Sequence, residues 1–150
     1  MHSWDQGRRS GGVPVLRALA VDFGGRRIGL AAGESEHGVA SARPNLEASG
    51  TLAVDAEAIA GLAKKEEADV VVVGLPLDGG GETKMSLVCR KLGACIEERG
   101  VSVRYIDESL TSAESEREMA AAGLKGSERR KRSDGESACR ILERFFEQEA

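Results

Sequence analysis

The chain is short of aromatic residues: Trp4, Phe23, Tyr105, Phe145 and Phe146 are the only five in 150. A surface that holds single strands by stacking successive bases on aromatic platforms is therefore not expected. Cysteine is scarce too. Cys89, Cys95 and Cys139 are odd in number and lack C-x-x-C spacing, and the only histidines, His2 and His37, lie far from them. That argues against a disulfide framework and a zinc site, and for free buried thiols in a reducing compartment. Long apolar runs are missing as well, since "VVVVGLPL" is the longest and is far too short to span a membrane. The first residues, "MHSWDQGRRSGGVP", have no apolar centre of a signal peptide, so residues 1–15 read as a mobile tail on a cytoplasmic protein. The net charge of −4 provides no overall basic excess. Any basic surface must be local.

What is present suits one compact domain over residues 16–150. "LRALAVDF" (16–23), "RIGLAAGE" (27–34) and "GVASARP" (38–44) are short apolar segments separated by Gly24-Gly25 and "SEHG", the spacing of a three-stranded antiparallel meander. Leu52, Ala56, Ile59 and Ala63 recur at helical spacing. "VVVVGLP" (70–76) is apolar on both alternations and belongs in the middle of a sheet, in a parallel arrangement. A second helix runs through Met85, Val88, Cys89, Leu92 and Ile96, with Gly100 expected at its C′ position. "VSVRYIDE" (101–108) is a fifth strand. Thr111 and Glu114 have capping-box spacing for a helix ending at Gly123, and Ser133 and Glu136 repeat that spacing for a last helix to about Gln148. Between them "KGSERRKRS" reads as a basic loop. The expected class is α/β, a mixed five-stranded sheet of three antiparallel and two parallel strands flanked by helices.

Three acids draw attention within this layout. Asp22 ends the first strand, and alternation puts it on the face of Ala18 and Ala20, whose small side chains leave room for a close neighbour. An aspartate before Gly-Gly also orders hairpin turns, so this stretch alone leaves both roles open. Asp107 and Glu108 end the fifth strand on opposite faces, and only one of them can point toward Asp22. Asp134 stands four residues before Ala138 and seven before Ile141, on the inward stripe of the last helix. An acid turned inward needs partners, and a hard divalent cation shared with other carboxylates supplies them. Clustered carboxylates of this kind suit Mg²⁺ or Mn²⁺, and two such ions about 4 Å apart would clamp a phosphodiester. Asp22 would then bridge them.

"LAVDFGGRRIGLA", "VVVGLPLDGGGE", "YIDESLTSAESE" and "KRSDGESACRILERFF" together resemble the successive motifs of the YqgF family, also called RuvX. The resemblance runs from about Leu16 to Phe146 and implies an RNase H-like fold. It also implies a nuclease related in fold to Holliday-junction resolvases, with members implicated in trimming the 5′ end of the 16S rRNA precursor. The family's acidic triad falls on Asp22, on the pair at the end of the fifth strand, where Glu108 matches the second acid of the D-E-R motif, and on Asp134. Departures from the pattern are Gly25, where a hydroxyl-bearing residue is common, Ser109 for the arginine after the acids, and Gly135 after the last aspartate. Ser109 removes a planar phosphate-binding fork.

Two segments are candidates for holding substrate. "LDGGGETK" opens a helix, where backbone amides and Lys84 could meet a phosphate, although Asp78 and Glu82 oppose one and a sharp connection is the plainer reading. Arg129, Arg130, Lys131 and Arg132 immediately precede Asp134 and suit a nucleic-acid contact. The substrate expected is precursor rRNA ahead of a four-way DNA junction, because cutting a junction twice calls for a two-fold dimer that no feature of the sequence advertises. Two rivals remain. "VDFGG" resembles the phosphate loop of actin-like ATPases and sugar kinases, which need a second domain. The same fold could also serve as a nucleic-acid-binding adaptor without chemistry.

Overall fold

The computed structural model describes residues 9–10, 13–24, 26–108 and 126–149, with side chains described over 15–24, 26–108 and 135–149. The Thr111 to Gly123 helix expected from the sequence lies outside these residues.

Two-residue strands β1 (Arg9–Ser10) and β2 (Val13–Pro14) pair antiparallel, apart from the main sheet. The tail expected over residues 1–15 thus contains a small ribbon. The main sheet comprises β3 (Arg17–Phe23), β4 (Arg27–Glu34), β5 (Val39–Glu47), β6 (Val70–Leu75) and β7 (Ser102–Asp107), in the order β5-β4-β3-β6-β7. Strands β3, β4 and β5 form the expected antiparallel meander, and β6 and β7 add in parallel on the other side of β3. All six residues of β6 are buried, because helices cover both of its faces.

One face of the sheet packs on α1 (Leu52–Lys65) and α2 (Lys84–Glu97), through Ile59, Ala63, Cys89, Leu92 and Ile96 against Leu19, Val21, Val71 and Val73. Buried Asp55 ties the start of α1 to the chain entering it by accepting the Ser49 N–H at 2.9 Å. A reciprocal capping box between Thr83 and Ser86 starts α2, and Thr83 Oγ1 also donates to the Pro76 carbonyl at 2.8 Å. Gly100 turns left-handed at φ +83°, two residues past the C-cap Glu98 rather than directly after it. No helix among the described residues is long and apolar enough to cross a membrane.

The other face packs on α3 (Gly126–Glu149), where Ala138, Ile141, Leu142, Phe145 and Phe146 meet Ala18, Ala20, Val70, Val72 and Ile106. This helix corrects the sequence reading at its start. The "RRKR" segment is not a loop, because α3 begins at Gly126 and carries Arg129, Arg130, Lys131 and Arg132 in its first two turns. Ser127 to Arg132 contains no glycine or proline and is rich in straight-chain residues with good helix propensity, with Glu128 and Arg132 at i,i+4 spacing. A charged run without an apolar period can still be helical where no core demands the period. Gly135 is consequently mid-helix, and buried. A Cβ there would stand 3.1 Å from the Ala42 Cβ, so the missing side chain lets α3 approach β5.

A bulge interrupts the β4–β5 ladder: between Ile28↔Leu46 and Leu30↔Arg43, Pro44 and Asn45 oppose the single residue Gly29. Pro44, which has no N–H to offer, sits there on the sheet's free edge.

Candidate active site

Asp22 occupies the last row but one of β3, on the α3 side, where Ala18 and Ala20 precede it in the buried core. The strands beside it have no side chain at that level. Its partner on β4 is Gly29, and on β6 Gly74 follows Val73, the partner of Val21. Asp22 therefore stands half-buried in a trough with a glycine on either side.

Glu108 reaches the same trough from β7. Its N–H donates to the Leu75 carbonyl at 3.0 Å, extending the ladder one residue beyond Asp107, and alternation places its side chain with Ile106 on the α3 face. Asp107 is exposed, and its carbonyl accepts from Arg144 Nη1 at 2.6 Å. The Glu108 and Asp22 carboxyl groups are hydrogen-bonded to each other. Only 7% of Glu108 is exposed, and burial, then the charge of Asp22, their mutual hydrogen bond and the charge of Asp107 all push its pKa up, to about 9. The same environment reaches α2, where burial, then Glu108 and Asp22, push the Cys89 thiol up to about 12 and keep it protonated. All three cysteines are free, Cys89 buried and Cys95 and Cys139 half-buried.

Asp134 lies in α3, one residue before Gly135, and its side chain is outside the described residues. The structure thus unites two of the three acids singled out from the sequence. Among the described residues no three His, Cys, Asp or Glu side chains gather around a potential metal. The pair present nevertheless fits a hard divalent cation. It offers oxygen donors only, and the acidic surroundings that force Glu108 to keep its proton are those a cation would relieve.

The glycine-rich loop after β6 closes as a sharp connection. Asp78 and Gly81 exchange both backbone hydrogen bonds, at 2.9 and 2.8 Å, around Gly79 and Gly80 at φ +56° and +84°. That is a tight two-residue turn with positive φ at both central positions. Glu82 then accepts from Arg90 Nε and Nη2, along one edge of the guanidinium, and from the Ser86 hydroxyl, at 2.8 to 2.9 Å, bonds that hold its carboxyl down at about 2. Lys84 is exposed as the first residue of α2. The side chains of Arg129, Arg130, Lys131 and Arg132 lie outside the described residues.

Sequence reasoning passed over two features. Arg27 shares the face of Gly29 and Asp22, and borders two clefts. One, of about 390 Å³, runs between β5 and α3 past Pro44, Asn45 and Glu136. The other, of about 560 Å³, surrounds Arg26, Glu47 and Ser49. Gly74 is the second: a glycine inside a strand of valines is itself a signal of close approach by another group.

Comparison with known proteins gives concordant findings. The family described as "RuvX: Holliday junction resolvase" matches residues 16–148. A Haemophilus influenzae (strain PittEE) protein named "Putative pre-16S rRNA nuclease" is 40% identical over 134 residues, covering 88% of this chain and 96% of that protein. One of the same name from Methylobacillus flagellatus is 34% identical over 131 residues, covering 86% and 89%. Among solved structures, T. thermophilus RuvC in complex with a Holliday junction substrate superposes with a TM-score of 0.53 at 13% identity, covering 89% of this chain and 95% of RuvC. At that identity the likeness is one of fold, and the fold is RNase H-like.

Proposed function

The chain belongs to the RuvX family, and from that premise we propose a metal-dependent nuclease whose centre is Asp22, Glu108 and Asp134. Hydrolysis of nucleic-acid phosphodiester bonds follows from the family. The assignment of residues rests on one observation: two carboxyl groups from separate strands, one of them buried, meet in a glycine-walled trough. Asp134, four residues before Ala138 in α3, is the third ligand in this reading. Mg²⁺ or Mn²⁺, when bound, would supply charge neutralisation at the phosphate under attack. The chain's own part is to release the proton shared between Glu108 and Asp22 and to hold both carboxylates still. Arg27 beside the trough, Lys84 at the head of α2, and members of the Arg129 to Arg132 run of α3 would meet the substrate's phosphates.

The preferred substrate is the 5′ end of precursor 16S rRNA, processed in the cytoplasm, and the names carried by the relatives support it. A four-way DNA junction is the second reading, favoured by the family's own description and the RuvC likeness. The test compares a small-subunit rRNA precursor carrying its 5′ leader with a mobile four-way junction, at equal Mn²⁺ and salt. Shortening of the RNA by the native protein, abolished in Asp22→Asn, is the expected outcome. Paired symmetric nicks in the junction with the RNA intact would favour the second reading. Metal-dependent binding of either substrate, uncut, would leave only the adaptor.

A further inference from the structure

Gly74 is the residue on which the acid pair closes. It lies in β6 between Val73, in register with β3, and Leu75, whose carbonyl holds the Glu108 backbone. A Cβ built on Gly74 would come 2.9 Å from Glu108 Cδ and 3.1 Å from Glu108 Oε1, and closer still to Ile141 Cδ1 of α3. Both approaches are tighter than real side chains tolerate. The space a β-branched residue fills elsewhere in this strand is here taken by a carboxyl group on one side and a helix methyl on the other. Strand β6 is otherwise an unbroken run of buried apolar side chains, so the glycine weakens it without any turn or positive φ to explain its presence.

We propose that Gly74 is a positioning residue: its missing side chain is the seat of the Glu108 carboxyl, and fixes where the second ligand stands relative to Asp22. The inference rests on the reading of Asp22 and Glu108 as a metal centre. Any side chain at position 74 pushes the Glu108 carboxyl away from the β6 backbone and out of reach of Asp22. Gly74 does this without touching metal or substrate. The two close approaches can be separated, because the one to the helix ends on a single methyl group that Ile141→Val removes, while the one to Glu108 stays.

The experiment uses the full chain and four proteins: native, Gly74→Ala, Ile141→Val and Gly74→Ala/Ile141→Val. The melting temperature is measured in chelator and Mn²⁺ affinity by calorimetry. Gly74→Ala should lower both stability and metal affinity. The double variant should regain the part of the melting temperature that the contact with the Ile141 methyl cost, yet bind Mn²⁺ at least about tenfold more weakly than Ile141→Val, the scale on which misplaced ligand shells act. An affinity equal to that of Ile141→Val would overturn the proposal and make Gly74 a packing residue only. Failure of Ile141→Val to restore stability would overturn it too, since the cost would then not divide as the geometry requires. Asp22→Asn is run in parallel: if it leaves Mn²⁺ binding unchanged, the metal centre itself fails, an outcome distinct from failure of Gly74 alone.

Discussion

Two neighbouring acids, one of them buried, form a costly arrangement in a protein without its cation. Glu108→Gln keeps the shape and removes the titrating group, so in chelator near neutral pH, where folding of the native chain must take up a proton, it should match or exceed the native melting temperature while abolishing metal-dependent cleavage. The pH dependence follows from the direction of the shift. A carboxyl raised from 4.5 to about 9 on folding contributes its stability fully below the unfolded value, and that contribution is lost as pH rises through the folded one. Between pH 5 and pH 8 the metal-free native protein should therefore lose stability relative to Glu108→Gln by roughly 1 kcal/mol for each pH unit. Thermal melts of both proteins across that range check it, and parallel pH profiles would contradict the buried, protonated Glu108. Alternation along "VSVRYIDE" made visible in the sequence that only one of Asp107 and Glu108 could join Asp22. The choice of Glu108 came from the family motif, and the α3-side placement beside Ile106 supplies its geometric reason. Gly74 stood inside the strand read from the sequence and signalled a close approach there, but which group fills its missing side chain was not legible until Glu108 was seen seated on it.

Among the elements, most strands and the first two helices follow the sequence closely because each has its own apolar pattern, whereas β5, largely exposed at the sheet edge, runs three residues past the segment 38–44. The start of α3 does not follow it, because Gly126 to Ser133 has no such pattern. Its helicity comes from propensity and charge spacing, which a search for buried faces overlooks. The consequence is physical: four basic residues on a helix are spread around its axis at 100° steps, so not all of them can meet one strand of phosphates. Replacing Arg129, Arg130, Lys131 and Arg132 together with alanine should keep the helix, alanine being its best former, and weaken substrate binding. The log–log salt slope should fall by roughly one unit for each phosphate no longer neutralised, a total short of the four units a fully engaged loop would give. Fluorescence anisotropy of labelled RNA over a salt series measures it, and an unchanged slope would remove α3 from the interface.

For the molecule as a whole, the sheet order divides the chain by sequence distance. The meander β3-β4-β5 pairs near neighbours, whereas β6 and β7 join only after the chain has passed through α1 and then α2. Asp22 is laid down in the local half, and Glu108 arrives at the end of the last strand to be added. If loop closure orders the assembly, the burial of Glu108 beside Asp22, with the proton uptake it requires, comes late, after the barrier has been crossed. The chain then meets the cost of burying its acid pair on the way down rather than on the way up. Glu108→Gln should accordingly leave the refolding rate unchanged in a denaturant-jump experiment and slow unfolding by the whole of its gain in stability. A change confined to the refolding limb would instead mean that the two acids already touch at the barrier. Folding speed and the burial of the acid pair are kept apart by the order in which the strands are joined.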